Sequence, residues 1–110
     1  MWREKGGAES TAVMQFIALE KELKPFDPAT DGEFLRAEAA AVWALRKAAR
    51  VREIWFTHPA RTAVLLLEAG SLEEARDWLD GLPLVRGGFC SFEVSALTPY
   101  DGFERLFREV

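Results

Sequence analysis

The sequence contains no asparagine, one histidine (His58) and one cysteine (Cys90) in 110 residues. A lone cysteine excludes an internal disulfide and suits a reducing compartment, so a cytoplasmic location is expected. A single histidine with no cysteine or carboxylate at ligand spacing argues against a metal site, and nothing implies a cofactor. No apolar run approaches the roughly 20 residues needed to span a bilayer, so no membrane association is expected. Basic residues are also scarce. Lys and Arg total 14 against 18 Asp and Glu, giving a formal charge of −4. The longest basic cluster is Arg46-Lys47, too little to displace phosphate counterions, which argues against nucleic acid as a partner. No glycine-rich phosphate loop occurs, and Gly87-Gly88 reads as a turn. Residues 1–11 are polar, lack a period and lack the apolar stretch of a signal peptide. They read as a loose extension preceding one domain over residues 12–110, since two cores would each be too small.

What remains is ordinary globular material, 49% apolar and 29% charged. Ala12–Leu19 is a compact apolar run of strand length. Lys24–Gly32 carries two prolines and a glycine and reads as a loop, with Asp31 as the cap of the next helix. From Glu33 to Ala49 apolar residues recur with a 3.6-residue period (Phe34, Leu35, Ala41, Val42, Leu45, Ala48, Ala49), the stripe of an alanine-rich helix. Val51–Thr57 and Thr62–Ala69 are β-type runs joined by His58-Pro59-Ala60-Arg61, a hairpin pattern. Ser71-Leu72-Glu73-Glu74 has capping-box spacing and starts a helix that stops at Gly81, with Pro83 beyond. Phe89–Leu97 alternates as a fourth strand, with Phe89 and Leu97 on one side and Cys90 and Phe92 on the other. A turn over Thr98–Gly102 leads into one short amphipathic helical turn, Phe103–Phe107.

The order β-α-β-β-α-β predicts a ferredoxin-like α+β fold: a four-stranded antiparallel sheet with both helices on one face. The other face is then bare and carries Phe89, Leu97 and one of Trp55 or Phe56. Such a surface is expected to close against a second copy, as a homodimer or higher homo-oligomer.

Glu38 lies inside the apolar stripe of the first helix. A carboxylate there must find a partner, take a proton or line a cavity. A raised carboxyl pKa suits proton abstraction beside a carbonyl, whereas an ion pair with Arg52 or Arg61 would make the residue structural. Glu93, on the face opposite Phe92 and Val94, is a candidate second acid–base group or a partner for Arg52. His58 is another acid–base candidate because its pKa lies near neutrality. Arg52 suits a substrate carboxylate. Trp55 and Phe89 offer apolar contact with a small-molecule substrate, or are packing residues. Cys90 reads as core.

Several of these residues resemble the muconolactone isomerase-like group of dimeric α+β barrel proteins. The likeness spans Val13 to Tyr100. It rests on Leu82-Pro83-Leu84 closing the second helix, Glu93-Val94 in the following strand, and Arg52-Glu53-Ile54-Trp55, similar to a Trp-Arg-His-Leu-Trp strand. Glu38 matches an acidic residue of the family's first helix. Ala39, Val51 and Glu53 stand where that family has lysine, tryptophan and histidine, which points to a substrate other than muconolactone. The resemblance implies a cofactor-free isomerase or cyclase acting on a small carbonyl or lactone-type compound. The alternatives are a non-catalytic oligomeric binding or accessory protein, and a cofactor-independent monooxygenase of the same barrel. The Asn-Trp-His constellation usual in the latter cannot be assembled without asparagine.

Overall fold

The computed structural model of the chain describes residues 13–108; the extension expected over residues 1–11 lies outside them. The elements are β1 (Met14–Glu22), α1 (Pro28–Lys47), β2 (Val51–Phe56), β3 (Ala63–Ala69), α2 (Leu72–Asp80), α3 (Pro83–Arg86) and β4 (Cys90–Leu97), followed by a 3-10 turn over Gly102–Leu106. The strands form one antiparallel sheet in the order β2-β3-β1-β4. This is the ferredoxin-like α+β arrangement. Helix α3 is an addition to the expected order.

Alternation sorts the strand residues into two faces. Phe16 and Ala18 of β1 stand opposite Leu67 and Leu65 of β3 and are buried with Val51, Ala69, Ala75, Leu79 and Leu82. At about 25 cal/mol per Å² of apolar surface removed from water, this cluster is the main source of stability. The other face carries Ile17, Leu19, Val64, Leu66, Trp55 and Leu97. There Leu19 is 43% exposed, Trp55 53% and Leu97 38%.

Helix α1 begins at Pro28, five residues earlier than the sequence pattern suggested. Proline is favoured in the first helical position, where its missing N–H costs nothing. The cap is Asp27, not Asp31: Asp27 Oδ1 accepts from Ala29 N at 3.0 Å, and Asp31 Oδ2 accepts from Asp27 N at 3.0 Å. Ser71 caps α2 as expected, accepting from Glu74 N at 3.1 Å. Glu74 reaches back to Gly70 N at 2.6 Å. Ala41, Val42 and Leu45 rest on the core, yet no residue of α1 is fully buried. The helix therefore leaves its N-terminal half standing at the edge of the core.

Two expectations are corrected. Phe89 does not lie on the bare face. It precedes β4, is 7% exposed, and packs its ring against Phe34 at 5.0 Å and Phe26 at 5.6 Å. Strand β2 also does not alternate strictly. A register shift between Val51 and Glu53 inserts an extra residue, Arg52, and resets which side chains share a face.

Candidate active site

Glu38 sits one helical turn after Phe34 and one before Ala41 and Val42, so the same side of α1 carries an aromatic ring, a carboxylate and the core contact. Its partner comes from α3. That helix has no side-chain cap of its own at Leu82, which leaves its first N–H groups in need of acceptors. Glu38 Oε1 accepts from Leu84 N at 3.0 Å. One carboxylate oxygen is thereby fixed, and among the described residues no hydrogen bond engages the other. The group is half-buried. Loss of water raises its pKa above the ordinary 4.5; the Leu84 N–H opposes that rise, and the charge of Glu20 adds to it. The partner is a backbone amide, not Arg52 or Arg61.

Glu20 is the residue that sequence reasoning missed. It follows Phe16 and Ala18 at even spacing on the helix-facing side of β1, and its cross-strand neighbour is Phe92. Its Oε1 accepts from Ala63 N at 2.6 Å, where β3 begins. The apolar run stops at Leu19, but the alternation continues one step further and puts a carboxylate on the helix-facing side of the sheet. Cys90, buried on the same face, has its thiol pushed up to about 11 by burial and then by the charges of Glu20 and Glu38. It is a protonated wall residue at neutral pH and not a nucleophile.

The other candidates lie elsewhere. Arg52 approaches Glu68 at 4.0 Å, and its carbonyl accepts from Arg46. Glu68 pairs with Gln15, so Arg52 points to the bare face. Trp55 stands opposite Val64 and Glu93 opposite Leu19, also on that face. The bulge thus lets Arg52 and Trp55 share a face, which strict alternation forbids. Arg52 and Glu93 occupy opposite edge strands and do not pair. Glu93 is separated from Glu38 by the sheet itself. His58 is exposed in the β2–β3 turn. Of the expected site residues only Phe89 joins Glu38: Phe89 N donates to Leu84 O at 2.9 Å, beside the amide that holds Glu38. A hollow of about 150 Å³ lies between α2, α3 and β4, lined by Leu79, Val85, Phe92 and Val94 with Arg76, Asp80 and Ser91. It includes neither Glu38 nor Glu20. Among the described residues no group of three His, Cys, Asp or Glu side chains is arranged to hold a metal. No helix among them is long and apolar enough to cross a membrane.

No protein-family model and no curated protein sequence matches the chain. Solved structures do. Muconolactone isomerase superposes with a TM-score of 0.69 at 22% identity, over 80% of this chain and 92% of that one. The chain has the muconolactone isomerase fold. A 5-chloro-2-hydroxyhydroquinone dehydrochlorinase from Burkholderia phenoliruptrix AC1100, solved with 2,5-dihydroxybenzoquinone, gives 0.65 at 18% identity, over 81% of this chain and 98% of that one. The resemblance first drawn from Leu82-Pro83-Leu84 and Arg52-Glu53-Ile54-Trp55 therefore holds at the level of fold.

The raised pKa of Glu38 has a consequence for stability. The folded state holds this proton more tightly than the unfolded state, so folding is favoured while the group is protonated. That contribution is lost as pH rises from about 4.5 through the folded-state value. Glu38→Gln retains an oxygen for Leu84 N and removes the charge. The variant should be more stable than the wild type at neutral pH, and the gain should vanish as pH falls to 4. Paired urea titrations at the two pH values measure it; equal stability at both would show that burial imposes no charge penalty.

Proposed function

We propose that the protein is a cofactor-free isomerase- or cyclase-like enzyme that moves a proton on a small cyclic carbonyl or lactone compound, with Glu38 as the base. One observation carries this reading: a half-buried carboxylate with one oxygen fixed by a backbone N–H and its proton affinity raised by its surroundings. Such a group is a stronger base than a solvated glutamate, and its fixed geometry removes the entropy of positioning it. Glu38 would take a proton from carbon next to a carbonyl, leaving an enolate whose reprotonation at another carbon completes the shift. Phe89, Phe34 and Phe92 supply the apolar surroundings. Arg52, turned to the bare face, takes no part.

Support also comes from the two proteins of like fold, an isomerase and a dehydrochlorinase, whose names both indicate small cyclic compounds. The bare apolar face of the sheet supports a homodimer closed by a second copy, and a cytoplasmic location fits the single buried cysteine. A second reading is favoured by the Leu84 hydrogen bond alone: Glu38 would only cap α3. The test is proton exchange in D2O with muconolactone, a simple unsaturated γ-lactone and a hydroxybenzoquinone as probes, followed by NMR. Enzyme-dependent deuterium uptake supports the catalytic reading; no uptake with any probe favours the cap.

A further inference from the structure

The reading of Glu38 as a base leaves Glu20 unused, although β1 brings it to the same place. A chain of backbone hydrogen bonds shows how. Glu38 is held by Leu84 N; Leu84 O accepts from Phe89 N at 2.9 Å; Phe89 O accepts from Leu23 N at 2.8 Å. This ladder ties the Glu38 carboxylate to the end of β1, where Glu20 stands three residues before Leu23 on the face turned toward the helices. Cys90, which feels both charges, lies between the same elements. The two carboxylates approach from different layers, one from α1 and one from the sheet. Each is fixed through one oxygen to a backbone N–H, Leu84 for Glu38 and Ala63 for Glu20. Among the described residues no hydrogen bond engages the second oxygen of either.

Building on the proposed function, we infer that Glu20 is a second proton-carrying carboxylate of the site, paired with Glu38 so that one removes a proton and the other returns one at a different substrate atom. The negative charge of Glu20 favours the protonated form of Glu38, so the two carboxylates are electrostatically coupled. In the forward step the ionised member takes a proton from carbon and the substrate's double bond shifts. The protonated member then delivers its proton to the distant carbon. Proton count and charge are unchanged, and the pair resets by passing one proton between its members through solvent. The titratable groups facing Glu38 from the packed elements are Glu20 from β1 and Cys90 from β4. Lys24, just after β1, is engaged over the Phe89 ring at 4.5 Å, and α3 offers only the exposed Arg86. Among the described residues no salt bridge reaches either carboxylate.

The test is Glu20→Gln in the full chain, which keeps an oxygen for Ala63 N and therefore the local fold. Two readouts are taken: the pH profile of proton exchange on whichever lactone or quinone probe the wild type turns over, and the NMR titration of the Glu38 carboxyl. The wild type should show a bell-shaped profile, requiring one ionised and one protonated carboxyl. Glu20→Gln should slow exchange by about 100-fold, lose one limb of the bell and bring the Glu38 titration down. A variant that is slower with the bell intact, or a Glu38 titration that does not move, would overturn the pairing. Loss of exchange in Glu38→Gln with an unchanged profile in Glu20→Gln would leave Glu38 as a lone base. Absence of turnover in the wild type would remove both readings.

Discussion

Replacing Glu38 with glutamine is expected to lower proton exchange on a responsive lactone or quinone probe by about 10²- to 10⁴-fold, the range that one positioned base contributes. Glutamine preserves the shape of the side chain and the oxygen that meets Leu84 N, so α3 should stay in place. It cannot accept a proton from carbon. The loss should fall mainly on kcat, because the interaction removed forms only as the proton moves. A rise in KM alone, with kcat unchanged, would show Glu38 contacting the ligand without doing chemistry. Full activity would make it a helix cap only.

Truncating Trp55 to alanine is expected to weaken self-association by about 30-fold or more, the effect of removing a large aromatic anchor worth at least about 2 kcal/mol. Trp55, Leu19 and Leu97 stand on the bare face of the sheet, each more than a third exposed. Ile17, Val64 and Leu66 fill the space between them. All four strands thus contribute to an apolar surface that helix packing does not cover, while Arg52, Glu68 and Glu93 add charges to it. A two-fold association places the same patch against itself. Sedimentation of the wild type and Trp55→Ala across the micromolar range measures the effect. A wild type that remains at 12.4 kDa throughout would contradict the homodimer.

The architecture was legible because hydrophobic periodicity changes cleanly along the chain, from strand to the alanine-rich helix and back. What the pattern obscured were places where a residue's usual meaning is reversed by position. Pro28 reads as a breaker but starts α1, and Pro83 reads as a terminator but opens α3. The β2 bulge leaves no periodic signature, and it moves Arg52 to the face of Trp55. Phe89 fits the alternation of β4 but precedes that strand, and its ring belongs to the aromatic cluster with Phe26 and Phe34. Glu38 stood out from sequence because a carboxylate in an apolar stripe is costly. Its partner did not, since a backbone amide 46 residues away has no side-chain signal. Glu20 escapes the pattern because the apolar run ends at Leu19 while the strand continues to Glu22.

The proposed chemistry depends on a carboxyl group that gives up its proton less readily than a solvated glutamate. Titration of the Glu38 carboxyl in the intact protein, by carbon-13 NMR with assignment from Glu38→Gln, measures this directly. The expected midpoint lies clearly above 4.5; a midpoint at or below 4.5 would mean that the Leu84 hydrogen bond outweighs burial and that Glu38 is an ordinary ionised cap.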